Sequence, residues 1–237
     1  MIPKIIHLIC LGTKNNKLRN RINRIHRKLP DFEIKIWNEN NFDLKKYKYT
    51  ALALEKKSYA FASDYIRLYA LYKFGGTYLD TDINIIRDIS IDFSDSDQIV
   101  VGFEKNYDIS SAIISSVPHS QIVGDMLHYM DDLANNSPET IGKLANVKWM
   151  RNFYIKYGVQ LNGKKQYSNF GVKVLPECFY GYPSSESRII HIMEASWQKS
   201  RPLSQRVGTV LRRGIKTRNE AIFYEKMRTL LWKARTQ

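Results

Sequence analysis

Residues 58–82 read SYAFASDYIRLYALYKFGGTYLDTD, and the order of residue types along this stretch decides the fold. Ser58 is a helix N-cap type, the residues that follow form a helical run to Phe74, and Gly75-Gly76 ends it. Thr77 to Leu79 and Ile83 to Ile86 are then short apolar strand segments on either side of Asp80-Thr81-Asp82. Two carboxylates therefore stand at the exit of buried β structure. On the preceding helix Asp64 and Arg67 lie three residues apart, on a face shared with Leu68 and Leu71.

Working outward, the spacing predicts a strand within Ile2 to Leu11 and a helix over Lys14 to Lys28, where Leu18, Ile22, Ile25 and Leu29 share one face. Pro30 ends that helix, and Glu33 to Trp37 alternate as a second strand. Strand, helix, strand is the start of an α/β sheet. Further on, Gln98 to Phe103, Ile109 to Ile114, Val172 to Leu175 and Arg188 to Met193 are predicted strands, with helices over Gln121 to Leu133 and Ile141 to Tyr157. The only linker-like stretch is Gln198 to Ser204. A division follows: one α/β domain over residues 1–198 and a basic helical segment over 199–237.

At 237 residues with 43% hydrophobic and 25% charged side chains, the chain buries a single sizeable core and is neither low-complexity nor disordered. No apolar run reaches the ~18 residues of a membrane span, and the first residues lack the apolar region of an export signal. Cys10 and Cys178 are too few for a disulfide framework. A reducing, cytoplasmic setting is the expectation.

The formal charge of +14 is concentrated at the ends. Residues 1–48 hold 12 Lys/Arg against 4 Asp/Glu, residues 49–198 hold 14 against 17, and residues 199–237 hold 11 against 2. Basic ends favour a polyanionic partner. Nucleic acid is a poor fit, because the chain has no recognised nucleic-acid motif and Asp80 and Asp82 repel phosphate in the absence of a cation. In the last segment, apolar residues such as Val207, Val210, Leu211, Phe223, Met227 and Leu230 recur at helical spacing among Arg and Lys. Such a helix packs on the domain's own core, lies in the headgroup region of an anionic membrane, or does both along different turns.

In an extended segment, residues i and i+2 point the same way, so Asp80 and Asp82 present two carboxylates side by side. Their repulsion is relieved by a proton or a cation. Hard oxygen ligands suit Mg²⁺ or Mn²⁺, whose shell is normally completed by water and substrate phosphate oxygens. Asp64 and Arg67 are costly to bury on an apolar helix unless they pair or bind something polar. Read without wider context, the first pair is also a common turn element and the second an internal ion pair.

Four motifs in order resemble glycosyltransferase family 32, the sugar-binding region containing DXD motif. They are Ile2-Pro-Lys-Ile-Ile-His7, Trp37-Asn-Glu-Asn, Tyr59-Ala-Phe-Ala-Ser-Asp64-Tyr-Ile-Arg67-Leu-Tyr-Ala-Leu-Tyr72 and Gly75-Gly-Thr-Tyr-Leu-Asp80-Thr-Asp82. The likeness covers residues 1–114, recurs at His191 to Trp197, and extends more loosely to the large clostridial glucosylating toxins. It implies a GT-A type fold (a single α/β domain with a mixed central sheet flanked by helices), a UDP-sugar or GDP-sugar donor, Mn²⁺ or Mg²⁺, and a retaining transfer to a glycan or lipid-linked acceptor in surface polysaccharide synthesis.

The resemblance also implies roles. Asp80, Asp82 and His191 would hold the metal. Asp64, Arg67, Asp80 and Asp82 would serve catalysis. His7, Leu8, Ile9, Ser63, Tyr78, Thr81, Ser196 and Trp197 would line the donor site with Asp64, Arg67 and Asp80. Three positions depart from the family pattern: Cys10 where relatives have Trp, Ile192 for a second His, and Ser111-Ala112 for Asn-Ala. A sugar-nucleotide binder without turnover is the alternative these departures permit.

Overall fold

The computed structural model describes residues 1–12, 16–104, 107–143, 146–194 and 202–236. The elements in chain order are β1 (Ile5–Ile9), α1 (Asn16–Lys28), β2 (Glu33–Trp37), α2 (Lys48–Glu55), α3 (Tyr59–Phe74), β3 (Gly76–Leu79) and β4 (Ile83–Ile85). They continue with β5 (Ile99–Gly102), β6 (Ile113–Ser116), α4 (Gln121–Asn136), α5 (Asn146–Lys156), β7 (Gln166–Tyr167), β8 (Val172–Leu175), the single turn α6 (Glu177–Tyr180), β9 (Ile189–His191), α7 (Leu203–Gly214) and α8 (Arg218–Thr236).

A central seven-stranded sheet runs β2-β1-β3-β6-β5-β8-β7, and β4 with β9 forms a separate two-stranded ribbon. β2, β1 and β3 are parallel, β6 is antiparallel to both β3 and β5, and β8 returns parallel to β5. Apolar side chains from both faces of the sheet enter two large clusters, one built with α2 to α5 and one with α1 and the β4–β9 ribbon. The mixed α/β architecture expected from the sequence is the one observed.

α3 is buried along most of its surface, which explains why it is apolar nearly all round. Ser58 stands at its N-cap position, although the hydroxyl makes no capping hydrogen bond. At the other end Gly75 and Gly76 turn the chain into β3 with φ of 64° and 91°. A Cβ on Gly76 would lie 2.6 Å from the Ile5 carbonyl oxygen, so no side chain fits where β3 begins beside β1.

The Ile-His and Trp-Asn-Glu-Asn motifs have structural work here. His7 is fully buried: its Nδ1 accepts from Trp37 Nε1 at 3.1 Å, and its Nε2 donates to the Gly75 carbonyl at 2.7 Å. The imidazole thus ties β1, β2 and the α3–β3 turn together as a neutral ring. Asn41 closes a tight turn after Trp37 through Ile36 O and the Asn38 amide, and Glu39 accepts from the Gly12 amide at 2.7 Å. Burial pushes the His7 pKa down to about 4. The unfolded chain takes up this proton near pH 6.5, so stability complete above that pH is lost as pH falls toward 4. The size is about 3 kcal/mol. Urea titrations at pH 7 and pH 4 are expected to show that loss in the wild type and little of it in His7→Gln; equal losses would exclude the assignment.

Three boundaries differ from expectation. The strand predicted at Ile109 starts at Ile113, because residues 110–112 turn so that the Ser111 carbonyl faces Arg67. The helix predicted from Ile141 starts at Asn146, after a 3₁₀ turn at Pro138–Thr140. The basic C-terminal segment is two helices rather than one. Its Ile215 and Ala221 are buried against Ile86 and Ile190, so part of it packs on the domain. Among the described residues no helix is long and apolar enough to cross a membrane.

Candidate active site

Asp80-Thr81-Asp82 is the bridge between the two sheets. The Asp80 amide donates to the Ala112 carbonyl at 2.8 Å, which extends the β3–β6 ladder by one step. The Asp82 carbonyl accepts from the Ile192 amide at 2.9 Å, just beyond β9. In the ribbon Ile83 is paired with His191, and that register brings the imidazole beside both carboxylates. Two residues two positions apart and a third from over a hundred positions away are thus held by backbone hydrogen bonds on both sides.

His191 Nε2 lies 3.5 Å from Asp82 Oδ1 and 3.8 Å from Asp80 Oδ2. One ligand atom from each of Asp80, Asp82 and His191 falls within 4.8 Å of the others. The second oxygen of each aspartate is already engaged. Tyr78 donates its hydroxyl to Asp80 Oδ1, and the Glu194 amide donates to Asp82 Oδ2 at 2.7 Å. Burial holds the Tyr78 phenol protonated, well above its ordinary pKa, so it remains a donor.

The opposite ring nitrogen, His191 Nδ1, is 3.5 Å from Glu104 Oε1, an ion-pair distance without hydrogen-bond geometry. A carboxylate behind a ligating imidazole fixes its tautomer and raises its basicity. Burial alone would disfavour the imidazolium, but Asp82, Glu104 and Asp80 outweigh it and lift the His191 pKa to about 10. Burial works against the Asp82 anion too, yet His191 and the Glu194 amide take its pKa below the ordinary carboxylate value.

Two carboxylate oxygens and an imidazole nitrogen are a donor set that suits Mn²⁺ and accepts Mg²⁺ less readily. Below pH 10 a cation held here would displace a proton from His191, so its binding would be linked to proton release. Apparent Mn²⁺ affinity is expected to rise up to about tenfold per pH unit between pH 7 and 9. The profile should flatten in His191→Asn, measured by titration calorimetry; a flat wild-type profile would remove His191 from the ligand set.

Above this cluster α3 supplies the buried ion pair. Arg67 Nη2 is 2.8 Å from Asp64 Oδ1 and 3.8 Å from Asp80 Oδ1. Its Nη1 donates to the Ser111 carbonyl at 2.8 Å, and its guanidinium lies 4.3 Å from the Tyr78 ring centre. Asp64 also accepts from the Asn146 amide at 2.8 Å. Burial raises the Asp64 pKa to about 6, with Arg67 and Asn146 opposing that shift.

The remaining predicted residues divide. Tyr78 and Thr81 stand beside the carboxylates, and Ser63 is half-buried next to Asp64. His7 has both ring nitrogens engaged, while Leu8 and Ile9 are buried in the core. Cys10 is half-buried with its thiol pKa raised to about 11 by burial, so it is a neutral group. Ser196 and Trp197 lie outside the described residues. Glu104 and Asn146 are additions that the motifs do not contain. Asn146 accepts from the Ser111 hydroxyl at 3.3 Å, so an amide reaches this side of the site from α5, where the family pattern has Asn in place of Ser111.

Residues 15–102 match the family model described as "Glycosyltransferase sugar-binding region containing DXD motif". No curated protein sequence matches the chain. Among solved structures it is similar to PaToxG glycosyltransferase, with a TM-score of 0.52 and 20% identity over 65% of this chain and 68% of that one. More remote are a glycosyltransferase involved in the glycosylation of the major capsid of PBCV-1 (TM-score 0.44, 8% identity, 80% and 93% covered) and the galactosyltransferase LgtC in complex with donor and acceptor sugar analogs (0.37, 11%, 86% and 82%).

The chain has the mixed α/β fold of GT-A type glycosyltransferases. Its residues 15–102 match the glycosyltransferase sugar-binding region containing the DXD motif.

Proposed function

We propose that the protein is a metal-dependent, retaining hexosyltransferase that takes a sugar from a nucleotide diphosphate donor. The observation that carries this reading is the meeting of Asp80, Asp82 and His191 ligand atoms within 4.8 Å, beside the buried Asp64–Arg67 pair. Asp80, Asp82 and His191 would hold Mn²⁺ or Mg²⁺, which when bound supplies Lewis-acid stabilisation of the diphosphate leaving group. Tyr78 and the Glu194 amide aim the carboxylates by occupying their other oxygens. Asp64 and Arg67 give the donor's sugar or ribose a polar surface in an otherwise apolar wall.

Retention is carried over from the resemblance. In that course no base opposite the leaving group is needed, and a donor phosphate oxygen takes the acceptor's proton. The acceptor is a glycan or a lipid-linked oligosaccharide of surface polysaccharide synthesis, reached at the cytoplasmic face of the membrane.

A panel of UDP- and GDP-sugars with Mn²⁺, with nucleotide release followed with and without EDTA, tests the reading. Metal-dependent release from one donor is the expected result. Tight nucleotide binding without release from any donor, in the presence of glycan acceptors, would favour a silent binder instead.

A further inference from the structure

A helix docked on a domain normally turns its apolar side inward. α7 and α8 do the reverse with part of theirs. On α7, Leu203 is 73%, Val207 50%, Val210 66% and Leu211 53% exposed, and steps of four, seven and eight residues put them on one side. On α8, Phe223 is 67%, Met227 42% and Leu230 62% exposed, again at steps of four and seven. Neither helix needs these residues to stay attached. Thr209, Ile215 and Ala221 form the inner side, the Asn84 amide donates to the Ile215 carbonyl at 2.8 Å, and Glu225 accepts from the Ser185 amide at 2.8 Å. Arg228 lies 4.5 Å from the Tyr182 ring centre.

Outward apolar stripes on helices that are already docked mark a surface for something outside the molecule. The charge around them selects the class. Residues 199–237 hold 11 Lys/Arg against 2 Asp/Glu; Arg206, Arg213, Arg218 and Lys226 are exposed on the same two helices, and Lys216 is exposed in the turn between them. Pairing the stripes of two copies would bring two such cationic segments together in low dielectric, which opposes self-association. An anionic bilayer satisfies both features, with apolar side chains entering the headgroup boundary and Arg and Lys meeting phosphates.

We propose that α7 and α8 form a docking face for an anionic lipid surface. The same helix α7 meets the active-site segment on the side away from its apolar stripe. Thr209 donates its hydroxyl to the Met193 carbonyl at 3.0 Å, Arg213 pairs with Glu194 at 3.0 Å, and the Glu194 amide is the donor to Asp82. Docking through α7 therefore sets Asp80, Asp82 and His191 one helix behind the membrane surface, near where a lipid-linked acceptor presents its sugar. For its purpose the inference rests on the proposed lipid-linked acceptor; for its test it does not.

The test is flotation of the full chain with phosphatidylcholine vesicles containing 30% phosphatidylglycerol, and with pure phosphatidylcholine vesicles, alongside a variant carrying Val207→Gln, Leu211→Gln, Phe223→Gln and Leu230→Gln. All four positions are outward, so the variant is expected to keep the wild-type melting temperature and the wild-type rate of nucleotide release in vesicle-free buffer. The wild type is expected to float with the anionic vesicles and not the neutral ones, and the variant to partition at least about tenfold more weakly. Absence of wild-type flotation overturns the inference. So does undiminished flotation of the variant, which would reduce the contact to surface charge, and so does a wild-type dimer that the variant converts to monomer without any vesicle binding. If no donor is turned over, flotation still reads the docking face, so the two readings fail separately.

Discussion

Asp82→Asn is expected to lower sugar transfer on the order of 10³-fold, the scale on which removal of a charge-stabilising group acts in polar transition states. Asn keeps an oxygen in place of Oδ2, so the 2.7 Å hydrogen bond from the Glu194 amide survives, and the backbone link to Ile192 is untouched. What disappears is the negative charge on the side facing His191. Mn²⁺ affinity should fall with turnover, while the melting temperature stays near that of the wild type. Calorimetric Mn²⁺ titration beside an initial-rate assay reads both. Turnover within threefold of the wild type would remove Asp82 from catalysis, and a collapsed melting temperature would make its role architectural.

The sequence revealed this part of the site because its logic is local. A strand of period two, a glycine stop and two acids at i and i+2 can be read within one short window, and α3, β3, β4 and β8 lie where that reading places them. His191 was legible through a motif, but its position next to Asp82 depends on the Ile83–His191 register, which no local pattern encodes. Glu104 and Asn146 carry no such signal at all. Each reaches the site from a segment remote in sequence, and each is an ordinary polar residue at the end of an element. α2 escaped notice for a related reason: only Tyr49, Thr50 and Ala53 are buried, too few to set a period over eight residues. The C-terminal segment showed its amphipathic spacing but not which side faces the protein, and the exposure of Val207 and Phe223 settles that.

Replacing Arg67 by Met is expected to cost about 3–5 kcal/mol of stability at pH 8, because it strips the cation from a carboxylate that remains buried. Asp64 would keep only the Asn146 amide as a close partner, and the Ser111 carbonyl would lose its donor. Burial already raises the Asp64 pKa to about 6, and loss of Arg67 removes a group that holds it down. A carboxyl whose folded pKa lies above its unfolded value favours the folded state most at low pH, and that advantage is lost as pH rises through the folded pKa. The deficit of Arg67→Met should therefore be smaller at pH 5 than at pH 8, which chemical denaturation at the two pH values measures. Adding Asp64→Asn removes the buried charge and should restore much of the stability at pH 8. Transfer should not return with it, since the double variant leaves Asp80 Oδ1 without its nearby guanidinium and the donor wall without either charged group. Recovery of stability without recovery of transfer separates the two roles of this pair: it keeps a buried carboxylate on α3 neutralised, and it presents polar atoms where the nucleotide sugar must sit. A variant within 1 kcal/mol of the wild type at pH 8 would contradict the first role, and a double variant with wild-type transfer would contradict the second.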